Sequence, residues 1–193
     1  MIEIKKHHKD LSEMTLEELW KLFPITLSEH RDCWTSWYQE EKNRIIGFLP
    51  VKDVKINHIG STVIDGLCAK PIIDILVEIP SAHSMDEIKQ VLVNNGYVCM
   101  SEEVNRKSFN RGYTNSGFAE RVFHLHLRYA GDNDELYFRD YMNEHTEIAE
   151  QYENLKLSLW KQYEHNRDAY TAAKTSFIRQ YTECARRDYK NRY

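Results

Sequence analysis

Two stretches of this 193-residue sequence carry the side chains best suited to chemistry, and the first contains Gly60, Ser61, Thr62 and Asp74. Gly60 permits a close backbone approach, and Ser61 and Thr62 can cap a short helix, which leaves several N–H groups directed at one point. Such a point attracts a phosphate group. Asp74 lies in an apolar run, where its carboxylate is either a solvated strand end or a ligand of Mg²⁺, an ion that prefers carboxylates together with phosphate oxygens.

The second stretch is 123–129, in which His124, His126 and Arg128 alternate with apolar residues. In a β-strand this alternation places both imidazoles and the guanidinium on one face. A single histidine on a strand is usually a hydrogen-bonded polar group. Two histidines with an arginine suit anion binding, general acid–base work or metal ligation, so we expect a second functional cluster here.

Residue types predict the strands that would position both stretches. β-Branched residues at 54–59 and 71–79, separated by turn-forming residues, predict two strands joined by a turn. A turn-rich tetrapeptide predicts a hairpin between strands 107–113 and 118–130. Helical spacing and capping residues predict helices at 15–23, 29–48 and 84–95, and along the chain from 133 onward. A further strand is expected at 97–100.

Composition limits the class of protein. A net charge of −4 and a pI near 6.1 argue against a protein that coats nucleic acid. The four cysteines form no C-x-x-C pair, which favours reduced thiols over disulfides or a zinc site. The polar residues 1–10, with His7 and His8, predict a solvated tail rather than a metal site. Because no signal peptide or membrane-spanning run is visible, we expect a cytoplasmic protein with no membrane partner.

The motif HIGST…GL.AKPIIDILV resembles the GrpB family, as do the H-L-H sequence at 124–126 and the later FRDYMNEH and AYTAAKTSFI. The likeness extends over 28–182 and implies the fold of the polymerase-β-like nucleotidyltransferases. In that superfamily a Gly-Ser turn precedes a strand with two carboxylates that hold the catalytic metal ions. Asp74 matches the first carboxylate, whereas Leu76 occupies the position of the second. Glu78, two residues further along the strand, is a weak substitute.

The resemblance also implies roles for several residues. A histidine at 124 or 126 would replace the third carboxylate of the superfamily. Basic family positions are matched by Arg106, Lys107, Arg111, Arg139, Lys156 and Lys174, of which the three on helices are by default solvent-facing charges. The predicted catalytic residues are Asp74, His124 and His126, and the predicted metal ligands are Asp74 and His126, with Mg²⁺ or Mn²⁺ as cofactor. The predicted phosphate- or nucleotide-binding residues are His58, Gly60, Ser61, Thr62, Lys70, Arg111 and Arg128.

Together these patterns predict an α/β (α+β) protein with a nucleotidyltransferase-like mixed sheet, N-terminal helices and long C-terminal helices. Residues 1–27 would form an N-terminal extension with one helix, and residues 28–193 a single domain. The predicted function is metal-dependent transfer from a nucleotide or phosphorylated small molecule to an unidentified acceptor. The alternative, favoured by Leu76, is a non-catalytic module that binds a nucleotide or a coenzyme-A-type ligand. Neither possibility gives a strong case for nucleic acid as a partner.

Overall fold

Five strands form one mixed sheet in the computed structural model, which describes residues 9–190 and 192–193. The strand order is β1-β2-β5-β4-β3, with β2 parallel to β5 and every other neighbouring pair antiparallel. The predicted tail at His7 and His8 lies outside the described residues. The strands are β1 Lys55–Ile59, β2 Ile73–Ile79, β3 Val98–Glu102, β4 Arg106–Thr114 and β5 Gly117–Tyr129.

Six α-helices lie in the described part of the chain, and five of them, α2 to α6, cover the two faces of this sheet. On one face, side chains of α2 and α3 form a single apolar core with the strands, and α4, α5 and α6 pack together on the other face. The expectation of a mixed sheet flanked by helices is confirmed, although α2 begins at Cys33, four residues later than predicted. The helices are α1 Leu16–Leu22, α2 Cys33–Phe48, α3 Met85–Asn94, α4 Asp134–Glu144, α5 Thr146–Tyr163 and α6 Arg167–Asp188.

Because side chains alternate along β2 and β5, the two faces of the sheet carry different kinds of residue. Ile73, Ile75 and Val77 are fully buried in the core beneath α2 and α3. The intervening residues of β2, and the even-numbered residues of β5, point to the opposite face, beneath the C-terminal helices. Because β2 and β5 are parallel neighbours in register, Asp74 lies beside His124 on that second face.

The helix starts and the cysteines follow the chemistry expected from the sequence. Thr15 begins α1 with a capping box, in which its hydroxyl accepts from Glu18 N–H and the Glu18 carboxylate accepts from Thr15 N–H. All four cysteines are free. None of the helices in the described part of the chain combines the length and the apolar composition needed to cross a bilayer.

The strand pairing of β4 with β5 is irregular near the hairpin. The register shifts between Arg111 and Tyr113, at Gly112, whose φ is 93°. A Cβ added to Gly112 would overlap the Arg121 carbonyl oxygen, so this crossing of the two strands requires glycine. As a result Arg111 points toward α2, while the Tyr113 hydroxyl reaches His124 on the other face.

A buried carboxylate ties α2 to the core face of the sheet. Glu41 is 4% exposed and accepts hydrogen bonds from Arg44, Tyr97 and Arg111. Burial by itself raises the pKa of Glu41, but the hydrogen bonds from Arg44 and Tyr97 outweigh it and hold the pKa below its usual value. The ionised carboxylate is therefore part of the folded core.

Replacing Glu41 with alanine should lower the free energy of unfolding by about 3 kcal/mol, because two guanidinium groups and a phenol lose their shared buried partner. The neighbouring Glu40 also pairs with an arginine but is 61% exposed, so Glu40→Ala should cost less than about 1 kcal/mol. Urea denaturation at pH 7 measures both. Equal losses for the two variants would contradict this assignment.

Candidate functional site

The turn between β1 and β2 forms the floor of the site. Gly60 has a φ of 75°, and the chain then makes a 3₁₀ turn over Ser61–Val63. The Asp74 side chain lies directly against Gly60: a Cβ at position 60 would overlap Asp74 Oδ2 and stand 2.9 Å from its Cβ. The close backbone approach expected at Gly60 is thus made to the candidate metal ligand itself. No other residue type fits at Gly60 without moving the carboxylate.

Asp74 is in turn bonded to the histidines of β5. Its Oδ1 lies 3.2 Å from His124 Nδ1 and 3.7 Å from His126 Nε2. His124 Nε2 lies 2.8 Å from the Tyr113 hydroxyl. Because an ionised carboxylate only accepts, a neutral His124 donates through Nδ1 to Asp74 and accepts at Nε2 from Tyr113. Both nitrogens of His124 are therefore engaged, which leaves His126 as the imidazole available to a ligand.

Burial and pairing fix the charge states of this group. Burial lowers the pKa of His124, and the nearby Asp74 carboxylate acts in the opposite direction without reversing the shift. For Asp74, burial raises the pKa, but the hydrogen bond from His124 and the nearby His126 imidazole outweigh it and hold the pKa well below the usual value. At neutral pH the group is a carboxylate beside a neutral imidazole, as an acid–base or ligand-binding role requires.

These residues open into a cavity of about 730 Å³ between the sheet and the C-terminal helices. Helix α6 contributes one wall through residues three or four apart, which places them on one side of the helix. Tyr152 from α5 and Leu27 from the N-terminal segment also line the cavity. The α6 residues are Arg167, Tyr170, Thr171, Lys174, Thr175, Ile178, Arg179, Thr182, Glu183 and Arg186.

Five cations in this cavity have no carboxylate within 4 Å among the described residues. Arg179 is exposed, whereas the other four are buried or half-buried: Lys70, Lys156, Arg167 and Lys174. Burial lowers the pKa of Lys70 and of Lys156 to about 7, and that of Lys174 to about 8. One guanidinium nitrogen of Arg167, Nη2, is buried and has no hydrogen-bond partner among the described residues. Positive charges that are buried or half-buried without a carboxylate partner are costly, and an anionic ligand would relieve that cost.

The structure brings together most of the predicted site. Gly60, Ser61, Thr62, Lys70, Asp74, His124 and His126 all line the cavity. His58 does not: it stacks on Tyr38 of α2 on the other face, and its Nε2 lies 2.9 Å from the Thr62 hydroxyl. Burial lowers the pKa of His58 to about 4, so a neutral ring supports the turn from behind.

Two predicted phosphate-binding arginines lie outside the cavity lining. Arg111 faces α2 and pairs with Glu41 at 2.5 Å. Arg128 is 8% exposed in its side chain and lies 3.7 Å from Glu135 and 3.9 Å from Asp132. Both charges therefore already have protein partners. The default expectation of solvent-facing charges at Lys156 and Lys174 is also wrong, because both line the cavity and Lys156 is only 2% exposed.

The second carboxylate position is closed. Leu76 is fully buried and packs with Ile59 and with Leu136 of α4, so an apolar contact occupies this part of the face. Glu78 is engaged elsewhere, accepting from Gly131 N–H and from the Asn133 amide, each at 3.1 Å. Within residues 9–190 and 192–193, no group of three or more His, Cys, Asp or Glu side chains could hold a metal ion. The donor set does not fit a pair of metal ions; Asp74 and His126 fit at most one, shared with ligand oxygens.

Sequence reasoning missed Tyr113 and Arg167. The Arg167 guanidinium lies 5.6 Å from the centre of the Tyr113 ring. The signal for Arg167 was its spacing from Tyr170, Lys174 and Ile178 along one side of α6, a pattern that identifies a shared face but not what that face meets. Regular alternation along β4 predicts Tyr113 on the same face as Arg111, away from the cavity. The register shift at Gly112 places it on the cavity face instead.

Comparison with known proteins identifies the family of this chain. The sequence model described as GrpB protein matches residues 24–184. The chain belongs to the GrpB family. The match begins inside the segment predicted as an N-terminal extension. Among curated relatives, UPF0157 protein YqkA of Bacillus subtilis is 31% identical over 183 residues, which are 92% of this chain and 52% of YqkA. The chain therefore spans about half the length of that GrpB-family relative.

Solved structures support the same placement. The crystal structure of conserved protein GrpB from Enterococcus faecalis has a TM-score of 0.73 and 28% identity, and the match covers 85% of this chain and 99% of that one. A GLD-2/RNP-8 complex has a TM-score of 0.53 at 10% identity, covering 85% of this chain and 67% of that one. At that identity the likeness shows the fold alone. The fold of this GrpB-family chain is nucleotidyltransferase-like, as the motif resemblance implied.

Gly60 and Gly66 offer a matched test of the floor of the site. Both have positive φ, 75° and 70°, but a Cβ at Gly66 would meet nothing within 4 Å. Alanine at either position should lower the free energy of unfolding by about 1 kcal/mol through backbone strain. Only Gly60→Ala should push the Asp74 carboxylate away from His124, and so lower the His124 pKa further, as measured by NMR titration. An identical His124 titration in both variants would contradict the contact.

Proposed function

We propose that this GrpB-family protein binds a nucleotide or another phosphorylated small molecule in the cavity between the sheet and α6. The observation that carries the proposal is the cluster of Lys70, Lys156, Arg167 and Lys174. These cations have no carboxylate within 4 Å in the described part of the chain, and they line a cavity floored by the Gly60-Ser61 turn. Phosphate groups satisfy both features, because they neutralise the cations and accept hydrogen bonds from a glycine-containing turn.

A single divalent ion fits this proposal better than a pair. Asp74 and His126 would hold Mg²⁺ or Mn²⁺ together with oxygens of the ligand, and the ion would supply charge neutralisation on those oxygens. With so few protein ligands, the ion should bind weakly by itself and more tightly once phosphate oxygens complete its coordination. Most of the neutralisation in this site would come from the lysines and from Arg167.

Nucleotidyl transfer is the second candidate function, and the free imidazole of His126 beside Asp74 favours it. In this function the ion would be held by Asp74 and ligand oxygens without His126, and His126 would take the proton of an acceptor hydroxyl or amine as that group attacks the α-phosphorus. The new acceptor–phosphorus bond would form as the bond to the β-phosphate oxygen breaks, and pyrophosphate would leave toward the lysines. The closed position at Leu76 is the main argument that binding, rather than transfer, is what the site performs.

A thermal-shift screen tests the binding proposal. Inorganic tripolyphosphate, nucleoside triphosphates and coenzyme A derivatives would be tested with and without Mg²⁺ or Mn²⁺. At least one should raise the melting temperature, since a ligand at 100 times its dissociation constant adds about 2.7 kcal/mol to stability. Lys174→Ala should abolish the shift, whereas alanine at the exposed Lys161 of α5 should not. Asp74→Asn should remove only the metal-dependent part. No shift with any probe would overturn the proposal.

The lysines also predict how binding depends on pH. As pH rises through about 7 to 8, Lys70, Lys156 and Lys174 lose their protons in the free protein. A bound anion favours the protonated lysines, so affinity for tripolyphosphate should fall by about tenfold or more between pH 7 and pH 9. Calorimetry at several pH values measures this. The dependence should be weaker in Lys70→Met, and a flat profile in the wild type would exclude the lysines from the phosphate contacts.

A further inference from the structure

A short N-terminal segment, residues 23–28, runs past the end of the cavity nearest Asp74; we call it the strap. Its first residue, Phe23, is buried against the tip of the β4–β5 hairpin. The ring centroids of Phe23 lie 4.7 Å from Tyr113 and 5.0 Å from Phe118. The strap is therefore anchored beside the hydroxyl that bonds to His124.

The remainder of the strap is fixed at two further points. Ile25 N–H donates to the Glu164 carbonyl at 3.0 Å, at the end of α5. Ser28 exchanges two backbone hydrogen bonds, each of 2.9 Å, with Ala69 in the segment before β2. Between these anchors Leu27 lines the cavity. The strap thus joins the hairpin, α5 and the segment before β2, and its Leu27 forms part of the cavity wall.

Three of the half-buried cations without a carboxylate partner lie close to the strap. Tyr170 packs with Ile25 of the strap in one apolar cluster. Over the Tyr170 ring stand the ammonium groups of Lys70 and Lys174, 5.4 and 4.1 Å from its centre. Arg167 lies over Tyr113, which itself packs on Phe23 of the strap. A single aromatic ring, Tyr170 or Tyr113, thus lies between each of these three cations and the strap.

The opposite end of the cavity has a different character. Arg186 lies nineteen residues after Arg167 on α6, which corresponds to about 28 Å of helix. There Arg186 pairs with Asp134, and Arg106 forms a bidentate pair with Asp132. Arg186 and Arg106 are 48% and 50% exposed. Arg106 and Arg186 are thus about half exposed and paired with carboxylates. Lys70, Arg167 and Lys174, near the strap, are less exposed and have no carboxylate within 4 Å in the described part of the chain.

We propose that the ligand enters with a free terminal phosphate first, and that this phosphate ends against the strap among Lys70, Arg167 and Lys174. This inference rests on the proposed function and adds the ligand class: a polyphosphate with one unesterified end. The nucleoside or other organic group then extends past Asp74 toward Arg106 and Arg186. A chain of phosphodiesters, or a polyphosphate esterified at both ends, would have to continue through the strap, which its anchors do not allow.

Calorimetry with three probes on the full chain tests this orientation. Inorganic tripolyphosphate has two free ends, adenosine 5′-triphosphate has one, and diadenosine triphosphate, esterified at both ends, has none. The wild type should bind tripolyphosphate and adenosine triphosphate, and it should bind diadenosine triphosphate about 100-fold or more weakly than adenosine triphosphate. If the wild type binds diadenosine triphosphate and adenosine triphosphate with dissociation constants within about threefold of each other, the inference is overturned and the proposed function stands.

Strap variants separate the steric effect from the difference in charge between the probes. Leu27→Ala shortens the side chain that lines the cavity, and Phe23→Ala with Ile25→Ala loosens the anchors. In either variant the dissociation constant of diadenosine triphosphate divided by that of adenosine triphosphate should fall by about tenfold or more. The two probes differ in charge by the same amount for every variant, so charge does not cause this fall. Thr26→Ala, at an exposed position of the strap, should keep the wild-type ratio. An unchanged ratio in Leu27→Ala overturns the inference. If neither tripolyphosphate nor adenosine triphosphate binds the wild type, the inference is overturned, and the proposed function stands only if another probe of the thermal-shift screen binds.

Discussion

The carboxylate of Asp74 packs directly on the backbone of Gly60, and the geometry of the cavity depends on this contact. It lets the turn after β1 fold over the first residues of β2, so that the Ser61–Val63 turn and Asp74 occupy the same floor. The parallel pairing of β2 with β5 then places His124 and His126 beside that carboxylate. A side chain at position 60 would separate the turn from the strand, and the cavity would lose its common floor.

The two faces of the sheet handle charge in opposite ways. On the core face, Glu41 collects hydrogen bonds from Arg44, Tyr97 and Arg111, so its buried charge is matched. On the cavity face, Lys70 and Lys174 lie above an aromatic ring with no carboxylate within 4 Å in the described part of the chain. Compensated charge stabilises the fold, whereas uncompensated charge lowers stability until an anion binds. The separation of these two arrangements onto opposite faces is typical of a rigid core that supports a binding site.

Much of this arrangement could be predicted from local patterns. Alternation along a strand has a period of two, so it assigned His124 and His126 to one face, and glycine next to serine identified the turn. The surroundings of the helical lysines were harder to predict. Helical spacing shows which residues share a side of the helix, but not whether that side faces solvent or a polar cavity. Lys156 and Lys174 were therefore expected in solvent and lie in the cavity instead. The partners of Arg111 and Arg128 are distant in sequence, so only the folded chain reveals that both arginines are already paired.

The irregularity at Gly112 is the reason that Tyr113 reaches the site. Arg111 and Tyr113 are two residues apart, and in a regular strand both would face α2; the register shift turns Tyr113 to the other face, where its hydroxyl bonds to His124. The Tyr113 phenol, which fixes the tautomer of His124, thus reaches its position because the hairpin is irregular. During divergence of the family, a change in hairpin length could exchange this proton donor for another side chain without any substitution inside the cavity.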